Sequence, residues 1–511
     1  MHGVILTGFA AFSVQKAQYK RTGGAHRIAT YLRERGWDIE VVDFIMGWSL
    51  EQLKEFSRSR ISSKTVFLGF GGTFPIWSPT LEEFFIWFRS EYPDVKIIAG
   101  GQVANIYKIE ADWYVDGFGE KALEALLKHI AGNEKVKFKL GVNGRKVIDG
   151  NRDYPSFPMK ELHVSYQERD FINSKETLVT ELGRGCIFNC AFCNFPILGV
   201  KEDHSRDAEN LKRELQENYD RWGTTKYVIA DETVNDYSAK LEKFAKVIKT
   251  LDFQPRMFGF ARADLLVSRP QDWDTMIDMG FTGHHYGIES TNVESLKVIG
   301  KGMHPDKLLP GLLEARSYFK KNSIYKGQVS LIAGLPYETP ESLNSTLKWF
   351  NQNWKTENVM LFPFYIPKSN GSDTMSKMSL DYKKYGYRET AKDLYPMIRN
   401  LYTNIPTQYG IGEALLENTG MSWENDQWNI MDVMKHVVKF YTSDYMSNYG
   451  PVMWSVGEYE LALDQDFSYF NDKTFNDLNH GDIGALIKLT QMSNYLIDDY
   501  ITKKLNWSPL S

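Results

Sequence analysis

A chain of 511 residues holds about two to four domains, and 42% hydrophobic with 24% charged residues is ordinary for a polypeptide that buries large cores. A formal net charge of −5 leaves no basic footprint for nucleic acid. No run of about eighteen apolar residues offers a membrane span, and the start lacks the basic region of a secretory signal, so it reads as a first strand.

Residues 1–131 alternate short β-branched runs with amphipathic stretches. Positions 4–9, 39–44, 65–69 and 95–99 read as buried strands of a parallel sheet, and 25–35, 81–91 and 120–130 as helices between them. The alternation predicts a doubly wound α/β domain of flavodoxin or Rossmann type, with its ligand crevice at the carboxyl ends of the strands. Glycines collect there: Gly71 and Gly72 after the third strand, Gly100 and Gly101 after the fourth. Each lets a bound group approach the backbone closely. Asp116-Gly-Phe-Gly-Glu120 opens the last helix, whose amino end offers free N–H groups to an anion.

Residues 132–175 form a connector, with a hairpin predicted around Asn143-Gly144. Strands and helices alternate again over 176–368, and 369–511 has helical periodicity with Trp and Tyr on a polar background. Trp423, Trp428 and Tyr441 fit a substrate cavity or a helical core equally well.

All three cysteines fall within eight positions, Cys186, Cys190 and Cys193, as C-x3-C-x2-C. An odd number argues against a disulfide framework. Thiolates this crowded are soft ligands for an iron–sulfur cluster or zinc. Zinc needs a fourth ligand, and the nearest histidine, His204, is eleven residues beyond Cys193. Three thiolates can hold three irons of a 4Fe–4S cube and leave the fourth iron open. Such a cluster belongs in a reducing cytoplasm, which is the expected location.

Polar residues recur at later strand ends. Asp231 and Glu232 end one strand and Arg262 with Asp264 another. Glu289 and Ser290 follow His284 and His285, Lys301 lies twelve residues beyond Glu289, and Ser330 and Gly334 precede Glu338-Thr339. Plainer readings stand beside each: a helix N-cap pair at 231–232, a structural ion pair at Arg262 and Asp264, a helix start at Glu338, a satisfied histidine pair at 284–285.

The cysteine loop, with Gly185 before it and Phe192 inside it, resembles that of the radical S-adenosylmethionine (SAM) superfamily. The resemblance implies a partial (β/α)6 barrel over about 176–368, with residues 369–511 as a helical domain covering its mouth or supporting its outer face. It implies that the open iron chelates the methionine amino and carboxylate groups of SAM, and that an electron from the cluster cleaves the sulfonium to a 5′-deoxyadenosyl radical. It implies roles as well: Asp231 and Glu232 near the methionine amino group, Arg262 against SAM, Glu289 and Ser290 near the ribose. Lys301 would pair with the carboxylate, Ser330 stands where an acidic residue often grips the ribose, and Gly334 lies beside the adenine.

Residues 1–131 resemble the cobalamin-binding module found ahead of such barrels, where Gly71, Gly72, Gly100 and Gly101 would admit the corrinoid tail. The Asp-x-His-x-x-Gly signature is absent, and His26 after Gly23-Gly24 does not replace it. That leaves cobalamin open against a Rossmann-like domain that binds no cofactor and shapes the pocket. The leading expectation is cobalamin-dependent methylation of an unactivated centre in a small molecule, with a reductant such as flavodoxin or ferredoxin. The alternatives are cyclisation, oxidation or rearrangement without methyl transfer, and a non-catalytic iron–sulfur protein of electron transfer or redox sensing.

Overall fold

The computed structural model describes residues 1–8, 19–71, 78–101, 110–157, 163–198, 200–202, 204–354, 358–367, 376–394, 396–398, 420–442 and 483–507. Position 9, Gly72, the Tyr441 side chain and much of 369–511 lie outside them.

The first sheet has strands β1 (His2–Thr7), β2 (Asp38–Val42), β3 (Thr65–Gly71), β4 (Lys96–Gly101), β5 (Trp113–Asp116), β6 (Lys139–Leu140) and β7 (Lys146–Asp149). Their order is β2-β1-β3-β4-β5-β7-β6, parallel except for the β6–β7 pair. The first five follow the flavodoxin order, whose switch point lies between β1 and β3. Helices α1 (Gly23–Arg33), α2 (Leu50–Arg60), α3 (Pro79–Glu91) and α4 (Glu120–Ile130) connect them. Near-continuous apolar runs such as Val4-Ile-Leu and Ile97-Ile-Ala bury both faces, so one core forms on each side. Local signals agree: Ser49 and Gln52 form a capping box on α2, and Ser78 caps α3 with Pro79 as its first residue. The expected hairpin is not free-standing, because β7 pairs in parallel with β5 and extends the sheet.

The second sheet has six parallel strands in consecutive order, with β8 (Leu178–Thr180) and β15 (Asn358–Pro363) at its edges. A short antiparallel pair, β9 (Gly183–Arg184) and β10 (His204–Ser205), follows β8. The remaining strands are β11 (Lys226–Ile229), β12 (Arg256–Ala261), β13 (Phe281–Glu289) and β14 (Lys326–Ala333). Between them run α5 (Phe195–Leu198), α6 (Ala208–Trp222), α7 (Ser238–Ile248), α8 (Ala263–Ser268), α9 (Trp273–Asp278), α10 (Val293–Ile299), α11 (Pro305–Asn322) and α12 (Pro340–Asn353). This is the open, partial barrel expected, with its main core between strands and outer helices.

The C-terminal segment divides between the two sheets. After α13 (Lys377–Leu380) and the pair β16 (Arg388–Glu389) and β17 (Trp423–Glu424), α14 (Ile430–Thr442) packs on β15. Trp423 and Trp428 are buried in the barrel's outer core, so they line no cavity. The last helix, α15 (Ile483–Asn506), goes elsewhere: Leu496, Ile497, Tyr500 and Ile501 complete the core of the first sheet. Among the described residues no helix is long and apolar enough to cross a membrane.

Buried ion pairs weld the two sheets. Arg21 meets Asp43 and Glu176, each at 2.6 Å, and donates to the carbonyls of Asp170 and Phe171. His26 Nε2 lies 2.9 Å from Asp43 and its ring packs on Tyr166, so this histidine belongs to the interface. Glu120 at the start of α4 holds Arg184 of β9 at 2.5 Å, and Glu181 joins both Arg184 and Arg27. That last group stands immediately before Cys186.

Candidate functional site

The cysteine loop leaves the carboxyl end of β8 and is pinned from several sides. Gly185 takes φ +91°, and a Cβ there would run into the carbonyl of Glu202. Ala191 N–H donates to Ile299 O at the end of α10, and Met378 N–H donates to Ala191 O. Cys190 is buried, whereas Cys186 and Cys193 are half-buried. Burial pushes the Cys193 thiol up to about 12 and raises Cys186, with the neighbouring cysteines adding to both. A metal that takes these ligands must displace their protons.

Two cations face the loop. Arg262, after β12, places Nη1 3.2 Å from Cys190 Sγ, pairs with Asp264 at 2.5 Å and lies 3.8 Å over the Phe188 ring. Its ion-pair reading is present, and the same guanidinium faces the cysteine loop. Lys301 pairs with Glu289 at 3.3 Å, donates to Gly287 O at 2.9 Å and lies near the Phe192 ring. Glu289 adopts φ +67° where the β13–β14 register shifts, and a Cβ on Gly287 would collide with its carboxylate. The glycine of Gly-Ile-Glu-Ser thus makes room for the Glu289–Lys301 pair.

The carboxylates after β11 part company. Asp231 accepts Leu182 N–H at 2.7 Å and lies 3.2 Å from the buried Lys240, so it braces the segment leading to the cysteines. Burial raises it to about 6. Glu232 has a buried Oε2 without a partner, and burial together with Asp231 holds it well above the usual carboxylate range. Thr233 Oγ1 lies 3.9 Å from Cys186 Sγ.

Ser290 and Gly334 converge on a residue the sequence reading took as a helix start. Glu338, fully buried, accepts Ser290 Oγ–H at 3.0 Å and Gly334 N–H at 2.8 Å. Gly334 is further fixed by Tyr387 and, at φ +89°, is pressed against Trp423. The Ser290 hydroxyl is therefore spent inside the wall. Ser330 is half-buried on the inner face of β14. His284 is a satisfied core histidine, bonded to Tyr286 Oη and Phe281 O and lowered to about 4 by burial.

Burial lifts Glu338 from 4.5 to about 8, so the folded protein keeps its proton where the unfolded chain loses it. Its contribution to stability is full below pH 4.5 and is lost as pH rises to about 8. Glu338→Gln is expected to flatten this part of the stability–pH profile. Glu338→Ala is expected to lose about 1–3 kcal/mol by stranding two donors. Denaturant midpoints from pH 5 to 9 check both.

On the first sheet, Gly71 and Gly100 sit at the carboxyl edge, and among the described residues a Cβ on Gly100 would meet nothing nearer than 4.0 Å. Packing against the described residues does not demand glycine there. Gly101 has φ +150° and its carbonyl accepts Gly117 N–H. Through Gly117, Phe118 and Glu120 this edge reaches Arg184, whose guanidinium lies 3.9 Å over Phe118.

Residues 180–350 match the family model of the radical SAM superfamily. These residues form a radical SAM domain. Radical SAM domains work with a 4Fe–4S cluster and SAM, and the residues fit both: three thiols on one loop, two facing cations and a carboxylate with one unpartnered oxygen. Among the described residues no three His, Cys, Asp or Glu side chains converge as one metal ion requires, whereas a cube keeps its ligands apart on separate irons.

An uncharacterized methyltransferase of Pyrococcus horikoshii is 25% identical over 246 residues, 47% of this chain and 52% of that protein, so the match spans about half its length. An uncharacterized protein of Methanocaldococcus jannaschii is 23% identical over 64% of this chain and 73% of its own. Among solved structures, the radical SAM methyltransferase TsrM of Kitasatospora setae, with cobalamin and a [4Fe-4S] cluster bound, superposes with a TM-score of 0.61 at 12% identity. It covers 97% of this chain and 99% of that one. The cobalamin-dependent SAM radical enzyme OxsB gives 0.58 at 13% identity, over 97% and 72%. These likenesses establish a shared two-sheet architecture.

The sequence alone does not single out Lys240 or Phe188. Phe188 lies inside the cysteine motif, and that position is its local signal. Lys240 is nine residues beyond Asp231 on α7, where no pattern marks it.

Proposed function

We propose that this enzyme is a cobalamin-dependent radical SAM methyltransferase that acts on an unactivated centre of a small molecule in a reducing cytoplasm. The observation that carries the reading is the placement of the glycine-edged crevice of a flavodoxin-order sheet beside the cysteine loop, through the Glu120–Arg184 pair.

Cys186, Cys190 and Cys193 hold the cluster. Lys301 and Arg262 meet the methionine carboxylate, and Glu232, whose Oε2 lacks a partner, meets the ammonium. Asp231 positions the loop through Leu182 N–H. Glu289 holds Lys301 in place, while Ser290, Gly334 and Glu338 form one braced wall and Ser330 faces the lumen. Gly71, Gly100 and Gly101 would admit the corrinoid tail at the carboxyl edge of the sheet. When bound, the cluster with SAM supplies a hydrogen-abstracting radical and cobalamin supplies a transferable methyl group, with electrons from a flavodoxin- or ferredoxin-like reductant.

Anaerobic reconstitution followed by iron, sulfide and corrinoid quantitation tests the reading. About four irons with stoichiometric corrinoid is the expected result. Iron without corrinoid removes methyl transfer and leaves other radical chemistry; zinc in place of iron overturns both.

A further inference from the structure

The inner face of the barrel carries side chains that the cysteine loop does not use. Met257 and Ala261 of β12 lie in the outer core, so alternation turns Phe258 and Phe260 inward. Phe258 closes the floor with Val179 and Val228. Phe260, one pleat nearer the mouth, is 45% exposed, unusual for a large apolar residue on a central strand. Tyr286 and Ile288 of β13 also lie in the outer core, which turns His285 inward. The His285 ring lies on Phe260 with centroids 4.6 Å apart. Register aligns Phe260 with His285 and His285 with Gln328, making one layer across three strands.

Gln328 is 97% buried, at 3% exposure, its Nε2 contacts Met360 Sδ, and its Oε1 has no partner. A buried acceptor without a donor carries an uncompensated desolvation cost, which a guest N–H or O–H would relieve. The inward side chains Phe260, His285, Gln328, Ser330 and Met360 include no carboxylate, guanidinium or ammonium. A charged group bound among them would lack a counter-ion.

We infer that the barrel lumen is the substrate subsite and takes a neutral, flat aromatic or heteroaromatic group, stacked on Phe260 and His285 and donating one hydrogen bond to Gln328 Oε1. This rests on the proposed function and adds to it the chemical class of the substrate. Aromatic side chains seat such a ring face-on or edge-on, and the single acceptor fixes its orientation.

The test is equilibrium dialysis of the anaerobically reconstituted full chain, with SAM present, using indole and 1-methylindole as probes. Indole is expected to bind saturably, with 1-methylindole about tenfold weaker for want of the N–H donor. Gln328→Leu should weaken indole about tenfold and leave 1-methylindole within about twofold, and Phe260→Ala should weaken both. No saturable indole binding overturns the assignment, as does equal binding of the two probes by the wild type, which needs no variant. SAM cleavage by the wild type without either probe is the separate arm: cleavage without indole binding sinks the lumen assignment alone. Absence of cleavage sinks the proposed function, whatever the dialysis gives.

Discussion

Cys190→Ala is expected to lose the bound iron and to bring 5′-deoxyadenosine formation down to background. Cys190 is the most buried of the three thiols, and it alone receives a guanidinium, with Arg262 Nη1 at 3.2 Å from its sulfur. An N–H aimed at sulfur orients the ligand from outside. Alanine takes away both a ligand and the acceptor that Arg262 shares between sulfur and Asp264. Loss of an outer partner alone commonly costs about 10- to 100-fold in metal affinity, and loss of a ligand costs more. Arg262→Gln should therefore fall between wild type and Cys190→Ala in iron retained after gel filtration. Full iron and undiminished cleavage in Cys190→Ala would refute the loop as the cluster site.

Arg21→Met is expected to cost about 3–5 kcal/mol, a large part of the ~5–15 kcal/mol that stabilises a typical protein. Methionine fills much of the same space but takes the guanidinium from Glu176 and from Asp43, which keeps only His26, and leaves two carbonyls without their donor. Burial pushes Asp43 up, but His26 and Arg21 beside it carry it below its ordinary value. In the wild type that contribution is present above pH 3.8 and is lost as pH falls through the lower folded value. The variant should reverse this sign, since acid lets its stranded carboxyls become neutral. Urea midpoints at pH 8 and pH 5.5 provide the check: the deficit should shrink at the lower pH. An equal deficit at both would mean that packing, not charge, is what Arg21 supplies.

The features legible in the sequence were those written locally. Three cysteines in eight positions announce their chemistry without reference to the fold. Arg262 and Glu289 at strand ends, and Lys301 twelve residues beyond Glu289, stand out through their likeness to the radical SAM motifs. Alternating apolar runs gave two parallel sheets, because a strand buried on both faces needs apolar residues throughout.

What escaped was written between distant positions. Arg21 and Glu176 are 155 residues apart, and no periodicity ties them. The helical pattern of α15 was plain, but a pattern of apolar residues does not name the surface it seeks. It joins the first sheet because Tyr500, Ile497 and Lys504 find Asp43, the strand core and Glu40 there. Asp231 and Glu232 look alike in sequence, and only their geometry gives Asp231 the brace through Leu182 N–H and Lys240. Ser290 was read from its motif as a ligand contact, while the structure commits its hydroxyl to Glu338. Trp113–Asp116 was too short and too close to its glycines to stand out as a strand.

The most direct measurement of the account is 5′-deoxyadenosine in the reduced, air-free, reconstituted wild type supplied with SAM. Time-dependent accumulation with loss of SAM is the result the account predicts. A cluster of about four irons that leaves SAM intact under those conditions would contradict it.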